Sequence, residues 1–439
     1  MMRVFPIFLL ACGAKNAAPI EPEPSRPALP ASACGASAYD PLPTAEMGAL
    51  IDIEAAPEWS LDAAGLRGLM TVAGVSDTSV VQHGVRAFRA RYRTQDRGEE
   101  AEATAILTLP DGATGPLPVL LYLHPTTGFE DFCAPSGRDL TWAAVPLALA
   151  GMGFAVAAPD YLGQNGFGEE AAAPHPYLVA EPTALASLDS LRALQGLADD
   201  EGESLGEQTL LVGASQGGAA GEWALRAGPL YLPERPFAGA VLSVPPLDLV
   251  GWAHVASQEL SVASIGVGFA LASANTWHGL GLDLGEVLQP EIVSRLEQTM
   301  ATECPEGVVP PDITAVEELY TDDWLAQAAS PDPAGWGVWG CLLAESSVGY
   351  TAWPANPTVP RLLIFAESDT IALTEVQGPA ADRLCEEGAP VEAFTCAGLE
   401  HSAAVRATFQ VQIDWLLDRV AGAPLGETCV GQPVIACEG

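Results

Sequence analysis

Short, almost wholly apolar runs recur along the chain and alternate with segments of helical spacing. The runs at 118–124, 153–159, 209–213, 237–244, 361–366 and 390–395 are typical of strands in a parallel sheet that is covered by helices on both faces. Between them, residues 183–199 carry a leucine at every third position, which predicts a helix with one buried stripe. The alternation predicts an α/β fold with a doubly wound, mostly parallel sheet.

Two stretches depart from this rhythm. Residues 85–93 alternate apolar and basic side chains and residues 103–109 are apolar and β-prone, which predicts an antiparallel pair at a sheet edge. Residues 250–357 are far longer than an ordinary connection between strands, and we interpret them as an inserted, mostly helical cap. The many aromatic residues of this cap either form its own small core or line an apolar pocket over an active site, and both roles remain open.

The first 13 residues differ in composition from the segments that are predicted to fold. Residues 1–11 place Arg3 before an apolar run that is too short to span a bilayer and is typical of a signal peptide. Leu9-Leu10-Ala11-Cys12 resembles a bacterial lipobox, in which the cysteine is acylated; an ordinary signal peptide cleaved elsewhere is the alternative. Gly13, in place of an aspartate after Cys12, resembles Gram-negative lipoproteins of the outer membrane.

These observations divide the chain into five parts. Residues 1–11 are a lipoprotein-type signal peptide, and residues 12–38, rich in alanine and proline, are a flexible tether. Residues 39–249 are the first part of the α/β core and residues 250–357 the cap. Residues 358–439 complete the core and end in a disulfide-rich tail.

The charge balance excludes several classes of function. The chain has 439 residues, with 18 Lys and Arg against 56 Asp and Glu, for a net charge of −38. A protein this acidic lacks the basic surface that binds nucleic acid, and anionic lipid head groups repel it. We therefore predict no nucleic-acid partner and no membrane contact other than the lipid anchor. With 49% hydrophobic residues, the chain has ample apolar surface for a core.

The cysteine count is consistent with export. Of nine cysteines, all but Cys12 remain for disulfides, and an even number in an exported chain favours disulfide pairing. No cysteine or histidine cluster has the spacing of a zinc site, so no metal is predicted. Sequence alone does not fix the pairing, but proximity favours Cys385–Cys396 and Cys429–Cys437, which leaves Cys34–Cys133 and Cys304–Cys341.

The most informative motif is Gly213-Ala214-Ser215-Gln216-Gly217. It joins an apolar strand to a predicted helix, which is the context of the G-x-S-x-G nucleophile elbow. Side chains two residues before and after the serine would collide with neighbouring backbone in so sharp a turn. We expect Ser215 to be held in a strained conformation, with the helix N-terminus favouring negative charge that develops beside it.

A serine nucleophile needs a base and an orienting acid. His401 is the only histidine late in the chain, and we predict it on a loop between the strand at 390–395 and a helix over 403–420. The acid should lie between serine and histidine in chain order. Asp369 follows the strand at 361–366, at the kind of strand end where catalytic groups gather. Asp248 and Glu367 are the alternatives.

An oxyanion intermediate also needs two N–H donors. One is predicted at the backbone of Gln216, the residue after the nucleophile. The other should come from the loop 124–128, where Pro125 has no N–H, so Thr126 is predicted and Thr127 is the alternative. The remaining histidines are predicted to have structural roles: His83, His124, His175, His254 and His278.

The order of these motifs resembles the α/β-hydrolase superfamily and, more narrowly, the secretory lipase family of the fungal lipase A type. The resemblance covers residues 85–420 and rests on four segments. It implies a Ser-His-Asp ester hydrolase with a helical cap, acting on acyl esters without a metal or organic cofactor. The chain departs from the family where His124-Pro125 replaces a common His-Gly, so the second oxyanion donor is expected after Pro125. The four segments are His124–Gly128, Cys133–Ser136, Pro159–Gly163 and Gly213–Gly217.

The sequence therefore predicts an exported serine hydrolase that cleaves carboxylic esters. It would be a lipase acting on triacylglycerol or another acyl ester through an acyl-enzyme, anchored by lipid to the bacterial outer membrane or cell surface, or otherwise secreted. One alternative is a serine peptidase or polyester hydrolase on the same fold. Another is a non-catalytic surface lipoprotein that binds an apolar ligand.

Overall fold

Ten strands form one sheet in the computed structural model, which describes Cys34 and residues 39–72, 75, 77–304 and 309–437. The predicted signal peptide, Cys12 and the tether apart from Cys34 lie outside the described residues. The strands are β1 (Leu50–Ala55), β2 (Gly84–Asp96), β3 (Glu99–Asp111), β4 (Leu117–Leu123), β5 (Ala155–Pro159), β6 (Leu205–Ala214), β7 (Phe237–Ser243), β8 (Arg361–Ala366), β9 (Val391–Cys396) and β10 (Val434–Ile435).

The sheet is mostly parallel, in the order β1-β2-β3-β5-β4-β6-β7-β8-β9-β10. The strands from β5 to β10 in this order pair in parallel, whereas β1, β2 and β3 pair antiparallel with their neighbours. The predicted antiparallel pair is present as β2 and β3. Its predicted place at the sheet edge is wrong, because β1 pairs with the outer side of β2.

Helices cover both faces of the sheet, as a doubly wound fold requires. Successive residues of β4 point to opposite sides: Val119 and Leu121 belong to one buried cluster and Leu120 to another. The first cluster contains the leucine stripe of residues 185–197, and the second contains Ile413. The helices are α1 (Ala63–Val72), α2 (Leu140–Gly151), α3 (Ala180–Glu201), α4 (Gln216–Tyr231), α5 (Leu249–Ala256), α6 (Val262–His278), α7 (Pro290–Thr302), α8 (Asp322–Ala328), α9 (Gly337–Glu345), α10 (Thr374–Glu386), α11 (His401–Ala407) and α12 (Phe409–Val420).

Five of these helices, α5 to α9, lie between β7 and β8 and are called here the helical insert (residues 249–345). The insert has its own buried cluster, in which Trp324 and Trp336 meet edge to face with ring centroids 5.6 Å apart. Much of its aromatic content therefore serves its own core. None of the helices in the described ranges combines the length and apolarity needed to cross a bilayer.

Two details of the C-terminal part differ from expectation. The helix predicted over 403–420 is two helices, α11 and α12, because Thr408 between them has a non-helical backbone, with φ −101° and ψ 6°. His401 is the first residue of α11 and does not lie on the preceding loop.

All eight of the expected cysteines are paired, which is typical of exported proteins, but each predicted pair is wrong. Cys385 lies in α10, before β9, and Cys396 ends β9. A six-residue strand spans about 20 Å, so the two sulfur atoms are kept at opposite ends of it. The disulfides are Cys34–Cys341, Cys133–Cys304, Cys385–Cys429 and Cys396–Cys437.

Glu181, in the first turn of α3, is a buried carboxyl group. Its Oε1 has no hydrogen-bond partner in the part of the chain that the structure describes. Burial, together with the nearby Glu345, raises the pKa of Glu181 from 4.5 to about 7. The folded state therefore disfavours the ionised form, and stability is lost as the pH rises from 4.5 through about 7.

We expect Glu181→Gln to stabilise the protein at about pH 8.5, by about 2–3 kcal/mol, and to have little effect near pH 4.5. The amide keeps the shape of the protonated acid and never ionises. Thermal unfolding of both proteins at the two pH values measures the difference. Asp200→Asn, on the exposed end of the same helix, is the matched control, and an equal shift in Tm at both pH values would contradict the prediction.

Candidate active site

Ser215 occupies a sharp turn between β6 and α4, with φ +56° and ψ −121°. Glycine is required on both sides of it. A Cβ at Gly213 would lie 2.1 Å from the carbonyl oxygen of Gly217, and one at Gly217 would lie 2.0 Å from that of Leu123. Because no other residue fits these positions, the sequence holds Ser215 in a left-handed conformation that costs about 1–3 kcal/mol.

Asp369 and His401 are joined by a hydrogen bond of 2.7 Å between Oδ2 and Nδ1. The other carboxylate oxygen of Asp369 accepts the backbone N–H groups of Ile371 and Ala372, at 2.8 and 2.9 Å. Since the carboxylate accepts on both oxygens, Nδ1 of His401 carries the proton. In the neutral imidazole the other ring nitrogen, Nε2, is then the one that can accept a proton. It is buried and has no hydrogen-bond partner among the described residues.

Ser215, Asp369 and His401 lie at the carboxyl ends of the parallel strands. Ser215 follows β6, Asp369 follows β8 and His401 follows β9, and these strands run parallel through β7. The backbone N–H of Ser215 donates to Ser243 at the end of β7, at 2.9 Å. Parallel strands bring their carboxyl ends together, which is where ligands bind in such sheets.

The two alternative acids have other partners. Asp248 accepts from Arg383 through Oδ2, and its Oδ1 caps α5 by accepting the backbone N–H of Gly251, at 2.8 Å. Glu367 accepts the backbone N–H of Gly398, at 2.7 Å. Both carboxylates hold local backbone in place, so the geometry favours Asp369 as the partner of His401.

The predicted oxyanion donors lie on neighbouring segments. Gln216 begins α4, and Thr126 lies in the loop after β4, which pairs directly with β6. The backbone N–H groups of Gln216, Thr126 and Thr127 have no hydrogen-bond partner in the described ranges. They are thus free to receive a negatively charged oxygen.

A mostly apolar cavity of about 420 Å³, whose lining also includes Arg295 and Glu303, lies within the helical insert, between α6 and α7. None of its described lining residues belongs to the triad or to the oxyanion segments, but one contact at each of its two sides connects it to them. At the start of α6, the N–H of Ala263 donates to the carbonyl of Thr370, which follows Asp369, at 3.1 Å. At the other side Cys304 lines the cavity, and its disulfide partner Cys133 packs against Gly128 of the oxyanion loop. The apolar lining includes Ile265, Phe269, Leu288, Ile292 and Leu296.

Two buried histidines lie beside the oxyanion segments. Burial lowers the pKa of both His124 and His175 to about 4. His124 donates from Nδ1 to the carbonyl of Pro125, at 2.7 Å, consistent with its predicted structural role. His175 contacts the side chain of Gln216. Sequence reasoning missed this contact because no spacing or motif links His175 to the elbow.

One group of residues within the described ranges has the proximity of metal ligands, namely Cys34, Cys341 and Glu345. The two sulfur atoms are bonded to each other. They therefore lack the thiolate form that binds zinc.

Comparisons with known proteins agree with the fold and with the family that the sequence resembles. The family model described as secretory lipase matches residues 143–428. No curated protein sequence is significantly similar to this chain. Among solved structures, a ligand-bound form of the rice cell wall degrading esterase LipA from Xanthomonas oryzae is 19% identical, with a TM-score of 0.66 over 85% of this chain and 98% of that chain. Candida antarctica lipase A in its closed state is 18% identical, with a TM-score of 0.64 over 89% of this chain and 86% of that chain.

The structural similarities and the family match support different conclusions. The structural neighbours are less than 25% identical and show an α/β-hydrolase fold. The family model covers more than half of the 439 residues, including the elbow around Ser215 and both Asp369 and His401. The chain therefore belongs to the secretory lipase family and is a carboxylic ester hydrolase.

Proposed function

We propose that the protein is an exported serine lipase that cleaves acyl esters through Ser215, His401 and Asp369. One observation carries the proposal: the 2.7 Å hydrogen bond between His401 and Asp369 lies at the same sheet edge as the strained Ser215. In the neutral imidazole that bond leaves Nε2 of His401 as the nitrogen that can accept a proton. An acid, a base and a partly exposed nucleophile at the carboxyl ends of neighbouring strands are the parts of a catalytic triad.

The mechanism follows from these parts. Ser215 Oγ attacks the ester carbonyl carbon while Nε2 of His401 takes its proton, and Asp369 stabilises the resulting imidazolium. The N–H groups of Gln216 and Thr126 donate to the oxyanion of the tetrahedral intermediate. When the intermediate collapses, the ester C–O bond breaks and His401 protonates the leaving alcohol. A water molecule then hydrolyses the acyl-enzyme by the same steps and releases the acid.

The 420 Å³ cavity supports acyl chains as the substrate group. Its apolar lining would take the hydrocarbon out of water at about 0.8 kcal/mol per methylene, which favours long chains over short ones. In this proposal residues 39–249 and 358–439 form the hydrolase core, and residues 250–357 act as a cap over the site. The cap then has two roles, since its aromatic side chains build its core and Phe269 lines the acyl pocket.

We expect p-nitrophenyl esters of about two to sixteen carbons to be hydrolysed, with kcat/KM highest for long chains. Filling the cavity should reverse this preference, because a large side chain displaces the acyl tail while leaving the triad intact. Thr299→Phe fills it from α7, and Gly268→Leu from α6. We expect each to lower kcat/KM for long chains at least about tenfold, a loss of roughly two methylenes of burial, and to spare acetate and butyrate esters.

Gln298→Phe is the control for Thr299→Phe, since it places the same ring one residue earlier on α7, on an exposed position. If both cavity variants kept the chain-length profile of the unaltered protein, the cavity would not be the site that binds the acyl chain. A peak at short chains in the unaltered protein would make it a carboxylesterase and contradict the lipase proposal.

Export and anchoring are supported by the four disulfides and by the sequence Leu9-Leu10-Ala11-Cys12. We propose that residues 1–11 are removed as a signal peptide and that Cys12 is acylated. Cells that express the full chain should incorporate labelled palmitate into the protein, and the Cys12→Ser variant should not. Label retained in that variant would contradict the anchor, whereas unlabelled protein in the medium would indicate ordinary secretion.

A further inference from the structure

The segment His175–Tyr177, between β5 and α3, contacts both predicted oxyanion segments, namely the start of α4 and the loop after β4. We infer that this segment, called here the 175–177 brace, positions the two oxyanion donors relative to each other, an inference that rests on the function proposed above. One end of the brace holds Gln216 and the other holds Thr126. Neither His175 nor Tyr177 has any role in the triad.

In the hydrogen bond between His175 and Gln216, the donor and the acceptor can be assigned. Nδ1 of His175 lies 2.9 Å from the carbonyl oxygen of Leu162, which can only accept, so Nδ1 carries the ring proton. Nε2 is then an acceptor, and it lies 2.8 Å from Nε2 of Gln216, whose amide donates to it. Both side chains are buried, so water does not compete for this bond. His175 thus fixes the first residue of α4, whose N–H is one oxyanion donor.

The other end of the brace reaches the loop after β4. The hydroxyl groups of Tyr177 and Thr126 lie 3.1 Å apart, within hydrogen-bond distance. The backbone N–H of Tyr177 also donates to the carbonyl of His175, at 2.9 Å. The residue that contacts Thr126 and the residue that contacts Gln216 therefore lie in one tight turn.

The brace itself is held tightly by the segment Pro159–Gly163. Gly163 has φ +79°, and a Cβ there would lie 2.5 Å from the Cα of His175, so backbone packs directly on backbone. The ring of Tyr161 stacks on that of His175, with centroids 5.9 Å apart and planes at 16°. The hydroxyl of Tyr161 donates to the carbonyl of His124, at 2.8 Å. The brace is therefore fixed to the start of the oxyanion loop as well.

This arrangement assigns His175 and Tyr177 as positioning residues. Oxyanion donors stabilise the transition state only when they lie at the correct distance from the developing charge, and a displacement of about 1 Å can cost a hundredfold in rate. Loss of a brace contact should therefore lower kcat. KM should change little, because the acyl cavity lies in the helical insert and not in the brace.

Two substitutions at His175 separate its two hydrogen bonds. Asparagine can still donate to the Leu162 carbonyl but is too short to accept from Gln216, whereas glutamine places an acceptor near the position of Nε2. We expect His175→Asn and Tyr177→Phe to lower kcat for a p-nitrophenyl ester about ten- to a hundredfold with KM within about threefold. His175→Gln should recover most of the rate. The control is His254→Asn, because His254 also bonds to a backbone carbonyl, that of Ala328 at 2.6 Å.

Gln216→Met provides a second route if the His175 variants do not fold. It removes the amide that donates to His175, so it should lower kcat as His175→Asn does, and the double variant should be no slower than either single one. The inference is overturned if His175→Asn and His175→Gln lose kcat equally, if only KM changes, or if the losses of His175→Asn and Gln216→Met add. Failure of the proposed function would differ, because Ser215→Ala would then retain activity whatever the brace variants do.

Discussion

Ser215→Ala is expected to lower kcat for p-nitrophenyl esters on the order of 10⁴- to 10⁶-fold. The variant removes the nucleophilic oxygen and keeps the Cβ, so the strained turn at φ +56° and the surrounding glycines are not disturbed. Tm and KM should therefore stay close to those of the unaltered protein. The measurement is steady-state hydrolysis with a long-chain ester, together with labelling by a fluorophosphonate probe, which should be lost.

The matched control is Ser243→Ala. Ser243 ends β7, beside the elbow, and its buried hydroxyl has no hydrogen-bond partner among the described residues. Its backbone carbonyl, which accepts from Ser215, is unaffected by the change. Activity above about one hundredth in Ser215→Ala, or probe labelling that persists there, would exclude Ser215 as the nucleophile.

Asp369→Asn is expected to lower kcat by about 10⁴-fold with little change in KM. Asparagine is close in shape to aspartate but turns an N–H toward Nδ1 of His401 or loses the backbone bonds to Ile371 and Ala372. The imidazole then favours the wrong tautomer, and the imidazolium loses its counter-charge. Initial rates across a range of ester concentrations separate kcat from KM.

Asp248→Asn tests the alternative acid. This carboxylate caps α5 and pairs with Arg383. Asparagine can keep the cap through its Oδ1 but loses the ion pair, so the free energy of unfolding should fall by at most about 1 kcal/mol and kcat should stay within a few-fold. A large loss of kcat in Asp248→Asn combined with near-normal Asp369→Asn would reverse the assignment of the acid.

The strands that position the site could be predicted because they are buried on both faces. The run at 361–366 corresponds residue for residue to β8, every residue of which is buried, and the run at 209–213 lies inside β6. The elbow glycines were predictable for a steric reason, which the 2.0 and 2.1 Å approaches of their virtual Cβ atoms confirm. Local sequence was therefore sufficient to predict the buried strands of the sheet and the sharp turn at Ser215.

Features that depend on distant segments could not be read in this way. β1 was missed because it lies at an edge and is largely exposed on both faces, with Ile51 and Ile53 more than a third accessible, so it shows no buried period. The disulfide pairs depend on which strand ends meet in space. The contact of His175 with Gln216 joins residues 41 positions apart, and no local pattern records it.

The disulfide between Cys34 and Cys341 determines where the N-terminal segment leaves the folded protein. Cys34 follows Cys12 by 22 residues, since 34 minus 12 is 22, and so long a chain reaches at most about 75 Å. Its partner lies in α9 of the helical insert. If Cys12 carries the proposed lipid, this disulfide links the anchoring segment covalently to the insert as well as to the chain that leads to β1. The lipid anchor would then be linked covalently, through at most about 75 Å of chain, to the part of the molecule that contains the 420 Å³ cavity.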